Sequence, residues 1–201
     1  MGGTAEAAQE TVLIIACGAL AREILALKRA NRLDHVALQC PPAELHNRPE
    51  RIAGAVRDAI FRARPRYERI SVAYGECGTG GALDRVLEEE KIERLEGPQC
   101  YAFFSGLDNF SAAAEGDIDA FYLTDFLARH FDRLVYGALG LDRHPELRDQ
   151  YFRHYSRLVY LAQSEDRDLL VKAREAARRL RLKFEMRRTG YGELQKFVAA
   201  L

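Results

Sequence analysis

Cysteine occurs four times in this chain, and each time it follows a short apolar run. Val12-Leu13-Ile14-Ile15-Ala16 leads into Cys17, and Val36-Ala37-Leu38-Gln39 leads into Cys40. Ile70-Ser71-Val72-Ala73-Tyr74 leads through Gly75-Glu76 to Cys77, and Ile92-Glu93-Arg94-Leu95 precedes Gly97-Pro98-Gln99-Cys100. Runs of this length and composition predict β-strands. If those strands are parallel, the thiols gather along the carboxyl edge of a sheet, where open α/β folds hold their ligands. His46, in the loop after the second run, adds an imidazole. Thiolate and imidazole together are metal-ligand chemistry, which needs donors about 2.0–2.3 Å from one point.

Cys17, His46, Cys77 and Cys100 form the expected ligand quartet, with glycine beside two of the cysteines to allow close backbone approach. Cys40 ranks below them because Pro41-Pro42 restricts its loop. The chain has no CxxC pair, so the donors must converge from separate loops rather than form a zinc ribbon. The competing reading is packing, since cysteine is among the most buried residue types. Zinc is the expected ion, with iron or an iron-sulfur cluster as the alternatives. An open ligand position makes such a zinc a Lewis acid, whereas four protein ligands close the site.

Gly75-x-Cys77-Gly78-x-Gly80-Gly81 lies between a predicted strand and a predicted helix, as a phosphate-binding turn would. It lacks the Lys and Ser/Thr of a P-loop and the spacing of a dinucleotide fingerprint. Gly18, Gly75, Gly78 and Gly80 are therefore expected to bring the backbone to a bound cofactor and to aim N–H groups at the Cys77 sulfur. Glu76 reads as a solvated glutamate with acid/base or ligand chemistry as the alternative, and Tyr74, Tyr101 and Tyr122 read as core packing. His35, His130, His144 and His154 fall in structural or solvated positions, and no GxSxG nucleophile motif occurs.

These residues need a scaffold. Helical spacing of Leu20, Ile24 and Leu27 follows the first strand, and Ile52, Val56, Ile60 and Phe61 share a face of a helix reaching about residue 64. Asn47 is placed to cap that helix with Pro49 in its first turn. A further helix covers residues 82–90. Four βα units in succession predict a parallel sheet. Beyond Cys100 a short helix over 100–104, a surface loop over 108–116 and a strand at 120–123 are expected. Thr124 then caps a helix to about residue 136. A helix over 146–155, a strand at 158–161, a charged amphipathic helix over 166–180, a strand at 182–187 and a terminal helix over 192–201 complete the pattern. The expected fold is α/β: a single Rossmann-like, doubly wound, mainly parallel sheet of about six or seven strands flanked by helices. It occupies residues 11–201 as one domain behind a disordered tail over 1–10.

Composition narrows the partners. Of 201 residues 48% are apolar, which suffices for a core without disulfides. Basic and acidic residues balance at 30 each, so nucleic acid and anionic membranes are not expected partners. No secretory signal is evident near the start and no apolar run approaches the roughly 18 residues of a membrane helix. A cytoplasmic location, with reduced thiols, is expected.

The loops together resemble an uncharacterised family known as domain of unknown function 1638, found in methanogenic archaea and proteobacteria. The resemblance rests on Ala16-Cys17-Gly18, Leu45-His46-Asn47 with Pro49, Tyr74-Gly75-Glu76-Cys77-Gly78, Gly97-Pro98-Gln99-Cys100, Phe104-Ser105-Gly106 and Tyr122-Leu123-Thr124. The family pattern has Pro-Arg-x-His-Asp-Cys near Cys100; the basic and acidic neighbours are missing here, so no role carries over to them. Family genes often neighbour corrinoid-dependent methyltransferase systems. The resemblance thus implies a part in corrinoid-linked one-carbon metabolism, with corrinoid methyltransferase components as partners; joined to the ligand quartet, it makes a metal-binding protein in corrinoid-dependent methyl transfer the expected function. The alternative it implies is a non-catalytic accessory protein: a metal or cofactor carrier, activator or chaperone docking on that machinery. Corrinoid binding by the chain itself is not expected, because the Asp-x-His-x-x-Gly motif is absent.

Overall fold

Val12–Ala16 forms β1, and all five of its residues are buried. A strand apolar on both faces belongs at the centre of a parallel sheet covered by helices, and β1 takes that place in this computed structural model. The structure describes residues 11–113 and 116–201, so the expected tail over 1–10 lies outside the described residues. The chain divides into two compact units, one of residues 1–98 and 194–201, the other of residues 99–193.

In the first unit β1 lies between β2 (Val36–Gln39) and β3 (Arg69–Ala73), both parallel to it. Helix α1 (Ala21–Ala30) joins β1 to β2 and α2 (Ile52–Ala63) joins β2 to β3, so the order β2-β1-β3 reverses at β1. Ile52, Val56, Ala59 and Ile60 of α2 pack on Leu13, Ile15, Val72 and Tyr74. Helix α3 (Ala82–Glu90) follows β3 and buries Leu83 and Leu87 in the same core.

In the second unit, α4 (Cys100–Ser105) and α5 (Leu107–Ala113) precede β4 (Ala120–Thr124), and a short α6 (Asp125–Arg129) follows it. Then come α7 (Arg148–Tyr151), β5 (Arg157–Ala162), α8 (Arg167–Leu180), β6 (Lys183–Arg188) and α9 (Gly192–Ala199), of which residues 194 onward belong to the first unit. The parallel order β4-β5-β6 runs without reversal. Asp166 caps α8 by accepting the Asp168 and Leu169 N–H groups, and Ala173, Ala176, Ala177 and Leu180 line its buried side. Gly192 sits where a Cβ would come within 2.2 Å of the Phe103 carbonyl oxygen, a contact only glycine permits.

The expectation of one six- or seven-stranded sheet is corrected: among the described residues there are two three-stranded parallel sheets within an open α/β architecture. The reason lies in residues 92–95. Their alternating apolar and charged side chains meet β3 through one parallel bridge, Val72 to Arg94, before Gly97-Pro98 ends the run. The chain then turns helical in α4 and α5, so no strand carries the sheet onward from there. The expected loop over 108–116 is largely α5, whose Ser111-Ala112-Ala113 stretch favours helix and whose Asp108 suits its first turn. The helix from Thr124 keeps its predicted cap, the Thr124 hydroxyl accepting from the Leu127 N–H at 3.3 Å. It stops at Arg129, and a π-helical turn at Asp132–Tyr136 takes over. Arg48, not Asn47, flanks the turn Pro49–Arg51 that leads into α2. The helix expected over 146–155 shortens to a 3-10 turn, Pro145–Leu147, and α7.

Candidate functional site

A parallel sheet whose strand order reverses opens a crevice at the carboxyl ends of the two strands flanking the reversal. In the first unit those strands are β1 and β3, and the residues leaving them are Cys17 and Tyr74 to Cys77. The Cys17 N–H donates to the Ala73 carbonyl at 3.3 Å, carrying the ladder one step past the strands. On the other side of β1, Ile15 pairs with Gln39, so Cys40 leaves the sheet beside Ala16. The contact between these two exits depends on Gly18. A Cβ there would lie 3.1 Å from both the Pro41 carbonyl oxygen and the Ala43 nitrogen, so glycine is what lets the Cys40 loop settle against the Cys17 loop.

Tyr74 ties the edge together. It is 2% exposed. Burial pushes its pKa up, and Cys17, then Cys77 and Cys40, add to the shift. Cys17 comes within reach of that hydroxyl, yet the pair lacks the geometry of a hydrogen bond, and Tyr74 Oη has no hydrogen-bond partner among the described residues. Burial raises the Cys17 thiol pKa, partly opposed by the Ala19 backbone and Tyr74. Burial and Cys17 push Cys40 up to about 11. A nucleophilic cysteine needs the opposite shift, from a nearby cation or helix N-terminus. Both thiols are therefore held protonated at neutral pH.

Cys77 takes a left-handed backbone conformation, φ 50°, at the head of the glycine turn. Its N–H donates to the Pro98 carbonyl at 2.8 Å and the Glu76 N–H to Gly97 at 3.1 Å, so the 97–98 segment braces the turn. Arg94 braces it further, donating through Nη1 to the Leu95 and Gly97 carbonyls at 3.0 and 3.2 Å and through Nε to Asp84 at 2.6 Å.

The Glu76 carboxylate folds back over the turn it opens. It accepts from the Gly78 N–H at 2.8 Å, the Thr79 hydroxyl at 2.8 Å and the Gly81 N–H at 3.1 Å, and the Gly81 bond leads in holding its pKa down. The N–H groups of Gly78 and Gly81 are thus committed to Glu76 rather than to the Cys77 sulfur. Gly75 is buried and Gly80 faces open space. Composition pointed to a solvated Glu76; an acid placed just before left-handed glycines was the signal for this inward fold.

His46 lies on the 3-10 turn Ala43–Asn47. Part of its ring is exposed, while the surrounding protein desolvates the rest and lowers its pKa, which favours the neutral, ligand-competent imidazole. Its loop reaches the Cys77 turn through Pro49, whose Cβ would lie 3.7 Å from a Cβ on Gly78. Cys100 belongs to the second unit, where it opens α4. Among the described residues, no three His, Cys, Asp or Glu side chains are grouped so that they could hold a metal ion. Cys17 and Cys77 both pack against the core cluster that contains Tyr74.

The carboxyl edge of the second sheet holds a different constellation, centred on Asp125, which is 2% exposed. It accepts from the Tyr160 hydroxyl at 2.6 Å, the Gln163 N–H at 3.2 Å and the Ser164 hydroxyl. A cavity of about 250 Å³ adjoins it, lined in part by Tyr160, Ser164, Asp166 and Arg188. Here the carboxylate is saturated by its own surroundings. Among the described residues no helix is long and apolar enough to cross a membrane.

A family model described as Protein of unknown function (DUF1638) matches residues 40–198, a span that begins at Cys40 and leaves β1 and Cys17 outside it. No curated protein and no solved structure matches the chain.

Proposed function

We propose that this chain, which belongs to the DUF1638 family of unknown function, is a metal-binding protein whose site is the carboxyl edge of the first sheet. Its donors there are the Cys17 and Cys77 thiols with the His46 imidazole. The observation that supports the reading most is that thiol-bearing ends of adjacent strands leave the sheet at its reversal, beside a buried hydroxyl that has no hydrogen-bond partner among the described residues. Burial, the Ala19 backbone and Tyr74 act on Cys17, burial and Cys17 act on Cys40, and none of these is a cation. Clustered protonated thiols of this kind suit a soft cation, which itself supplies the charge that ionises them. Zinc fits sulfur and nitrogen donors, and with an open position it supplies Lewis acidity. Closing the donors on one ion takes movement of the loops that carry Cys77 and His46.

The setting comes from the family resemblance: corrinoid-dependent methyl transfer in one-carbon metabolism, with methyltransferase components as partners. Two forms of the reading share the same site. In one the metal serves a methyl-transfer step; in the other the protein is an accessory that carries or delivers metal.

Anaerobic purification with elemental analysis tests the site. Stoichiometric metal in the wild type and its loss in Cys77→Ser is the expected result. A wild type that arrives without metal and takes up neither Zn²⁺ nor Co²⁺ overturns the reading. Methyl transfer by the isolated metal-loaded protein selects the catalytic form, and its failure selects the accessory one.

A further inference from the structure

We infer that the cavity at the carboxyl edge of the second sheet binds a small aliphatic amino acid, its ammonium group inward and its carboxylate at the mouth. This site shares no residue with the metal reading above and stands or falls apart from it.

The cavity, of about 250 Å³, lies where β5 and β6 end and α8 begins. Tyr160 and Ala162 of β5 sit in one core cluster, with Phe184 of β6 and Leu170 of α8 packed against it. Side chains alternate along a strand, so Met186 and Arg188 share the face of Phe184. Ala162, Leu170 and Met186 thus give the cavity an apolar wall. Tyr160 and Ala162 are buried, whereas Glu165, Arg167 and Arg188 are exposed, so the cavity deepens from those charges toward β5. Its volume is just below the roughly 300–1,000 Å³ of pockets for drug-sized ligands, which suits a molecule of a few carbons.

The polar groups inside are arranged as acceptors. A hydroxyl carries one proton. Tyr160 and Ser164 both give theirs to Asp125, so lone pairs are what their oxygens keep for a ligand. Asp166 spends Oδ1 on the Asp168 and Leu169 N–H groups and keeps Oδ2. The N–H groups at the start of α8, which would otherwise draw an anion, are thereby taken. Burial leads in raising the Tyr160 pKa, Asp125 and then Asp166 add to it, and Arg129 opposes them less. An ammonium group answers all of this with three N–H donors and a positive charge. At the mouth, Arg188 is already paired with Glu165 at 2.8 Å. Arg167, exposed at the first position of α8, supplies the charge for a carboxylate.

The test titrates the full chain with γ-aminobutyrate by calorimetry, with n-butylammonium and butyrate in parallel. γ-Aminobutyrate is expected to bind most tightly, n-butylammonium about 3-fold more weakly, and butyrate without measurable heat. Ser164→Ala weakens γ-aminobutyrate about 10-fold, the loss of one hydrogen bond to a charged group. Arg167→Gln weakens it about 3-fold and leaves n-butylammonium unchanged or tighter, a split that general disruption would not produce. No binding of γ-aminobutyrate, equal binding of butyrate, or full affinity in Ser164→Ala overturns the inference. So does an Arg167→Gln variant that binds both amines as the wild type does. Should Ser164→Ala fail to fold, Arg167→Gln, at an exposed position, decides alone. Metal uptake is unaffected in every arm, so failure here leaves the first-sheet reading standing.

Discussion

The two sheets of this chain use the same parts to opposite ends. The first reverses its strand order at β1 and leaves three thiols and a buried hydroxyl at its carboxyl edge. The second runs β4-β5-β6 without reversal and carries an ion-pair network around Asp117 and Glu185. There, Asp117 accepts from Arg157 at 2.9 Å, from Arg187 at 2.5 and 2.9 Å, and from the Tyr122 hydroxyl. Glu185 accepts from the same two arginines at 3.0 and 2.7 Å. Arg187 leads in drawing the Asp117 pKa down to about 2, and burial leads in pushing Tyr122 up to about 12.

The contrast breaks most easily at Asp117. Its replacement by alanine takes one carboxylate from two partly buried arginines that keep Glu185, and is expected to cost about 2–3 kcal/mol in urea unfolding, whereas Cys77→Ser costs less than about 1 kcal/mol. Equal losses would erase the distinction. Acid probes the same pair. The folded Asp117 pKa of about 2 lies below the ordinary aspartate value of 3.8, so its stabilisation is present above the unfolded value and is lost as pH falls through the folded one. Urea midpoints should therefore drop by the equivalent of about 2 kcal/mol across that window, and Asp117→Asn should flatten the drop. On the first sheet, Gly18→Ala forces the Cys40 loop away and is expected to cost about 1–2 kcal/mol. It should also lower metal uptake, measured on the same preparation. Tyr74→Phe has the smallest effect: metal-free stability unchanged or raised by up to about 1 kcal/mol, because the hydroxyl it removes is unpartnered among the described residues. A large loss would show that Tyr74 Oη has a structural partner.

Local pattern carried much of this fold. The apolar runs at β1, β2, β3 and β5 are strands, and the period of Leu169, Ala173, Ala176, Ala177 and Leu180 marks α8. What no local pattern carries is which strands share a sheet. Whether residues 92–95 form a full edge strand depends on partners distant in sequence and on the Gly97-Pro98 stop beside them. Helix α5 was obscured by Asp108 and Asn109, residues that favour turns yet also suit a first helical turn. At the candidate site, strand-end placement made Cys17 and Cys77 legible. The approach of the Cys40 loop to the Cys17 loop was not, because it depends on Gly18. Tyr74 reads as core from its composition and is core by burial; only three dimensions expose the unmet hydroxyl.

Where nucleotide-binding sheets seat a phosphate, this chain has installed a carboxylate of its own. Any incoming phosphate must first evict Glu76 from the backbone amides it grips, so polyanions meet a plugged seat.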